Sequence, residues 1–241
     1  MKVKRPHMVP KGYIRAWADR RNRVEVIDVQ HGRGVTSSIE NATVVSYVYE
    51  PAVLTHDLEA EFALIESRGL SAIRKMRYAH ITTFEERDAL IAFLDMHLER
   101  GRYADQADVR TFARLLRTDG QTEDSELSMG DRLLLSRHVE GATRLARLGL
   151  ERWPWHVRPA LRLATGDGAV LLWRPKPGAE ISTISFPLSP TQLLVIGDDL
   201  PADLPLNQLM AEKCRRWIVS VPGHLDLSKA ATIAAQRSKR P

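Results

Sequence analysis

One change of rhythm constrains this chain more than any other feature: near Trp153 a helical hydrophobic period gives way to short β-rich runs. Upstream, Leu58, Phe62, Ile65, Gly69, Ala72, Ile73 and Met76 recur at three- and four-residue steps. Residues 57–77 therefore predict a helix with one apolar stripe. Residues 89–94 are apolar nearly all round and predict a central helix ending at Gly101, with Thr82 or Thr83 and Glu85 or Glu86 as its capping box. The helical pattern continues over 109–116 and 128–153, separated by a polar loop at 119–124. Downstream, the runs 161–164, 169–173, 183–186, 193–196 and 217–221 are divided by Gly, Pro and Asp, with one helix at 206–215 among them.

Near the start, residues 23–29 alternate apolar with polar and 44–49 offer a second β-rich run, which predicts an N-terminal hairpin turned at Gly32 and Gly34. Helices gathered in the middle and strands gathered late imply an α+β fold. It is a helical central region with a small antiparallel or mixed sheet, formed mainly by the C-terminal third and the N-terminal hairpin. A chain of 241 residues can bury one sizeable core, so the expectation is a single α+β domain over 1–225 and a basic, frayed tail over 226–241.

Charge narrows the partners. Lys and Arg number 35 against 30 Asp and Glu, a net +5 that favours an anionic partner such as nucleic acid. Only 6% of residues are aromatic, which argues against an extended base-stacking surface. Cys214 is the only cysteine, so there is no disulfide framework and no cysteine-based zinc site. With no apolar leader and no membrane-length apolar run, the expected location is the cytoplasm, with no membrane partner.

The densest cluster of unusual residues is 5–18. Pro6 and Pro10 disfavour helix before them, which leaves His7 in an extended segment. Pro10 suits a helix start, after which Tyr13, Ile14 and Trp17 share one face. From His7 to Trp17 the chain resembles the opening of the bacterial domain of unknown function 4238 family, a His-x-Val-Pro-x-x-Tyr-Leu-x-x-Phe type motif. Asn41 and the Glu59 to Ile65-Glu66 segment are similar to the family's next landmarks. So are Phe186-Pro187-Leu188-Ser189-Pro190, the helix with Asn207 and the strand after Arg216, which extends the resemblance over about residues 5–221. Two places depart from the pattern: Arg100-Gly101-Arg102 stands where an Arg-Thr-Pro-like ending is expected, and Trp173-Arg174-Pro175-Lys176-Pro177 where a Ser-Asp-Asn-Pro-like segment is expected. What the resemblance implies is a fold without a reaction.

Two readings of the chemistry follow. In the first, His7, Glu59 and Glu66 are catalytic, holding a divalent metal or sharing acid–base work as a hydrolytic nuclease requires. Lys11 and Arg15 then contact phosphate, and Tyr13 and Asn41 complete the binding surface. In the second, the chain is a non-catalytic binding or regulatory module. His7 hydrogen-bonds a carboxylate and pins the N-terminal arm, while the two glutamates pair with arginines. Lesser signals are the Arg132-to-His138 spacing, which some helical ribonucleases share, and His56-Asp57, better explained as a helix start. Gly32-Arg33-Gly34 and Gly166-Asp167-Gly168 read as hairpin turns. Trp153-Pro154-Trp155-His156 reads as core at the seam between the halves. No HExxH, Gly-x-Ser-x-Gly or GK[ST] phosphate loop occurs.

Overall fold

Pro10 (φ −54°) stands immediately before α1 (Lys11–Ile14), and a 3-10 turn over Arg15–Trp17 carries the chain on. This computed structural model describes residues 6–46, 52–54, 56–79, 83–137 and 144–237. β1 (Arg23–Asp28) and β2 (Arg33–Ser38) form the N-terminal hairpin, turned at Gly32 with φ +64°. The hairpin partner expected at 44–49 contributes only a bridge, His7 to Val44, and residues 47–49 lie outside the described ones.

α2 (Leu58–Ala79) begins where Asp57 Oδ1 accepts the Ala60 N–H at 3.0 Å. α3 (Phe84–Arg102) starts with the expected capping box, formed by Thr83 and Glu86. After a 3-10 turn at Ala104–Gln106, the predicted helix at 109–116 is instead β3 (Thr111–Leu116), paired with β4 (Thr122–Leu127). Asp119-Gly120 explains the difference. Gly120 takes φ +85° and the Arg117 N–H donates to the Gln121 carbonyl at 2.8 Å, closing a tight hairpin. A short apolar run cannot choose between helix and strand, but a good turn can.

α4 (Met129–Ser136) is much shorter than the pattern over 128–153 suggests. It is followed in the described residues by 3-10 turns at Leu145–Arg147 and Leu150–Arg152, with Gly149 left-handed between them. Strands then dominate: β5 (Trp155–Pro159), β6 (Thr165–Gly166), β7 (Leu171–Trp173), β8 (Thr183–Ser189) and β9 (Gln192–Gly197). The strand expected at 161–164 therefore lies earlier, at β5. α5 (Leu206–Lys213) and β10 (Trp217–Ser220) follow. Where fraying is expected, a 3-10 turn at Leu227–Lys229 leads into α6 (Ala230–Arg237), whose Arg237 guanidinium donates to the Cys214 and Ala211 carbonyls.

All pairing among the described strands is antiparallel. One sheet has the order β2-β1-β10-β6, a second β5-β9-β8-β7, and β3-β4 stands apart. The main core gathers α1, the apolar faces of α2 and α3, and both faces of β8 and β9, including Tyr13, Trp17, Phe62, Phe93 and Phe186. A smaller core of Ile27, Val29, Ala164, Cys214, Ile218 and Ala230 lies under α6. Gly166-Asp167-Gly168 is no hairpin turn. A Cβ at Gly166 would stand 2.0 Å from the Trp217 carbonyl oxygen, and one at Gly168 2.2 Å from the Cys214 nitrogen, so these glycines admit close backbone contact.

Candidate functional site

The N-terminal motif is docked into the core. Tyr13 and Trp17 are fully buried. The Tyr13 hydroxyl donates to the Pro187 carbonyl at 2.7 Å and also lies 2.7 Å from the Thr165 hydroxyl. The Trp17 indole N–H donates to the Leu163 carbonyl at 2.7 Å. The Tyr13 ring stacks on Phe186 with centroids 4.9 Å apart and meets His97 edge-on at 5.8 Å. Burial pushes the phenol far above its ordinary pKa. Tyr13, expected as a binding residue, has its hydroxyl occupied inside the protein.

His7 is held differently from the expectation of a carboxylate partner. Its Nε2–H donates to the Ile39 carbonyl at 3.0 Å. Around it the Met8 N–H donates to the Thr43 carbonyl at 2.9 Å and the Thr43 hydroxyl to the Val9 carbonyl at 3.0 Å. These bonds fasten the arm to segment 39–45 in a conformation where Thr43 takes φ +58°. Burial lowers the His7 pKa, against the Ile39 carbonyl, which raises it. Lys11 reaches across to Glu40 at 2.8 Å on the surface, and the Asn41 amide donates to the Ser38 hydroxyl at 3.2 Å within a turn.

The two glutamates share one arginine. Glu66 accepts from Arg100 Nη1 at 2.5 Å, and Arg100, only 2% exposed, lies over the Phe62 ring at 4.2 Å from its centroid. Glu59 is half-buried, and burial raises its pKa against the pull of Arg100. His7 is close enough to feel the Glu66 charge. Yet among the described residues no group of three or more His, Cys, Asp or Glu side chains is placed to hold a metal ion. The departure at Arg100-Gly101-Arg102 has a packing role: Arg100 carries the ion pair, and a Cβ at Gly101 would lie 2.1 Å from the Asp167 carbonyl oxygen.

Other sequence signals resolve structurally. Arg132 donates to the Gln106 side chain and carbonyl at 2.8 and 2.7 Å, and His138 lies outside the described residues. His56 bonds Glu61 at 2.7 Å, a carboxylate that also takes Arg137. Trp155 packs against the core with its N–H on the Leu150 carbonyl at 2.8 Å.

Sequence reasoning missed three buried carboxylates that each gather three successive backbone N–H groups. Asp131 accepts from Ala52, Val53 and Leu54, Asp167 from Arg215, Arg216 and Trp217, and Glu25 from Gly223, His224 and Leu225. Burial pushes Asp167 up to about 6 while those donors pull it down. Ser128-x-x-Asp131 has the form of a capping box and was a readable signal for the first. The other two have none, because their partners are remote in sequence.

Between α1 and α2 lies a cavity of about 340 Å³ lined by Gly12, Arg15, Ala16, Ser67, Leu70, Ile73, Arg74 and Arg77. Arg15, expected to contact phosphate, lines this cavity. Gly12 allows the close approach of the two helices, since a Cβ there would stand 2.5 Å from Leu70 Cδ1. No described helix is long and apolar enough to cross a membrane.

No curated protein and no solved structure matches this chain. The family described as Protein of unknown function (DUF4238) matches over residues 5–148, which takes in the N-terminal motif, α2 and α3 but not the later landmarks at 186–190, Asn207 and Arg216. A match over more than half its length, on the same motif that anchors the core, makes this chain a member of the DUF4238 family.

Proposed function

We propose that this protein is a non-catalytic binding module whose His7–Glu66 cluster is structural. The observation that carries the reading is where the motif's polar atoms go. Nε2 of His7 is bonded to Ile39, Glu66 to Arg100, Lys11 to Glu40 and the Tyr13 hydroxyl to Thr165 and Pro187. A nuclease built on His7, Glu59 and Glu66 would need those groups turned towards one metal and its water. The net charge of +5 supports an anionic partner.

The test is thermal melting of the wild type and His7→Ala, with and without Mn²⁺, beside an assay for hydrolysis of bis(p-nitrophenyl) phosphate. Expected are no metal-dependent rise in melting temperature, no hydrolysis, and a variant that melts below the wild type. A rise with Mn²⁺, or hydrolysis, that His7→Ala abolishes would replace this reading with a metal-assisted phosphodiesterase.

A further inference from the structure

We propose that the cavity between α1 and α2 binds a small phosphate monoester, held at its anionic end by Arg15, Arg74 and Arg77 and against an apolar wall at its other end. The proposal deepens, and rests on, the binding-module reading. Three arginines and Ser67 are among the residues that line this one cavity, and no aspartate or glutamate is. Gathering like charges without a counter-ion is unfavourable, so the arrangement suits an anionic ligand. A larger cleft between α2 and the start of α3, about 580 Å³, shows the contrast: there Arg68 and Lys75 are balanced by Glu85, Glu86 and Asp88.

The arginines differ in how they are held. Arg77 is anchored: its Nη2 donates to the Leu188 carbonyl, and its own carbonyl accepts from Gln192 at 3.0 Å. Its Nε is buried and has no hydrogen-bond partner. Arg15 and Arg74 are exposed and make no ion pair among the described residues. Arg15 is attracted across space to Glu40, but that carboxylate is bonded to Lys11. Planar guanidiniums offer paired N–H donors that match phosphate oxygens. Ala16, Leu70 and Ile73 supply the apolar wall for an organic group. A volume of about 340 Å³ lies at the small end of the roughly 300–1,000 Å³ typical of ligand pockets, which favours a monoester of modest size over a polymer.

Isothermal titration calorimetry on the full chain tests this with phenyl phosphate, inorganic phosphate, phenylacetate and a short single-stranded oligonucleotide as probes. Phenyl phosphate is expected to bind one to one and more tightly than the other three. Arg15→Gln and Arg74→Gln, both at exposed positions that leave folding intact, each weaken it by about tenfold, the usual scale for one charge-assisted hydrogen bond. Arg174→Gln, an exposed arginine outside the cavity, makes the same change in net charge and leaves binding unaltered. The proposal fails if phenyl phosphate releases no heat, or if Arg174→Gln weakens binding as much as the cavity variants. Equal affinity for inorganic phosphate removes the ester from the assignment, and equal affinity for phenylacetate removes the phosphate. Oligonucleotide binding that needs Arg15 and Arg74 and excludes phenyl phosphate replaces the monoester with nucleic acid. None of these failures touches the melting behaviour of His7→Ala, so the two readings fall separately.

Discussion

Two clusters beside α2 use charge in opposite ways. In the first, Glu66 meets Arg100, His7 meets the Ile39 carbonyl, and Tyr13 and Trp17 place their polar atoms on backbone carbonyls. In the second, Arg15 and Arg74 line a cavity without a carboxylate among its lining residues. The first arrangement is what a fold needs, because a buried polar group left unpaired is costly. In the second arrangement Arg15 and Arg74 are exposed and make no ion pair among the described residues. A recognisable motif can therefore owe its form to packing as well as to function.

The comparison breaks most sharply at Arg100. Arg100→Ala strands Glu66 and removes the cation from Phe62, and should cost about 3 kcal/mol, the low end for a broken buried pair because Glu66 remains partly exposed. Urea unfolding with an unchanged slope would show it, and a double-mutant cycle with Glu66→Gln should return a favourable coupling. A loss under about 0.5 kcal/mol would place the pair among ordinary surface contacts.

Next comes acid sensitivity. His97 is buried against Tyr13 and Phe186, donates from Nε2 to the Gly166 carbonyl at 2.8 Å, and has an unpartnered Nδ1. Burial lowers its pKa from 6.5 to about 4, so on acidification the unfolded chain takes up the proton first. Stability is therefore lost as pH falls from about 6.5 to 4, by on the order of 3 kcal/mol in all. Asp167, raised from 3.8 to about 6, works in the opposite direction between those values, since the folded chain there protonates first. Melting curves of the wild type and His97→Gln across this range isolate the histidine: the wild type should fall relative to the variant. Parallel curves would mean that His97 titrates normally.

His7→Ala should cost about 1–2 kcal/mol, or roughly 2–8 °C in melting temperature for a chain of this size. The smallest effect belongs to the cavity between α1 and α2. Arg15→Gln and Arg74→Gln should move stability by no more than about 0.5 kcal/mol. A large loss in either would make that arginine structural and erase the contrast.

Much of this fold was legible where the signals are local. The stripe from Leu58 to Met76, the Thr83 capping box and the runs around 183–186 and 193–196 all depend on near neighbours. The hairpin at 111–127 is hidden because so short a run as 109–116 also fits a helix, and the deciding Asp119-Gly120 reads from the sequence only as a polar break. The site was less legible. Arg15 was expected on phosphate and does line the cationic cavity, but Arg74 and Arg77 join it only because α1 crosses α2. Nothing in their spacing announces that crossing. The partners of Glu25 and Asp167 are equally silent, lying about 200 and about 50 residues away.

The pairing of β1 with β10 sets Val26 beside Val219, joining the first long strand to one of the last. On a ribosome adding about 5–20 residues per second, β1 waits roughly 10 seconds or more with one edge unpaired before its neighbour is made. The hairpin β1–β2 can form early, yet the sheet it belongs to closes only once β10 has been made. Truncated or stalled chains would thus present a hydrophobic β edge to one another, and their fate is a matter of chaperone supply and translation speed as much as of final stability.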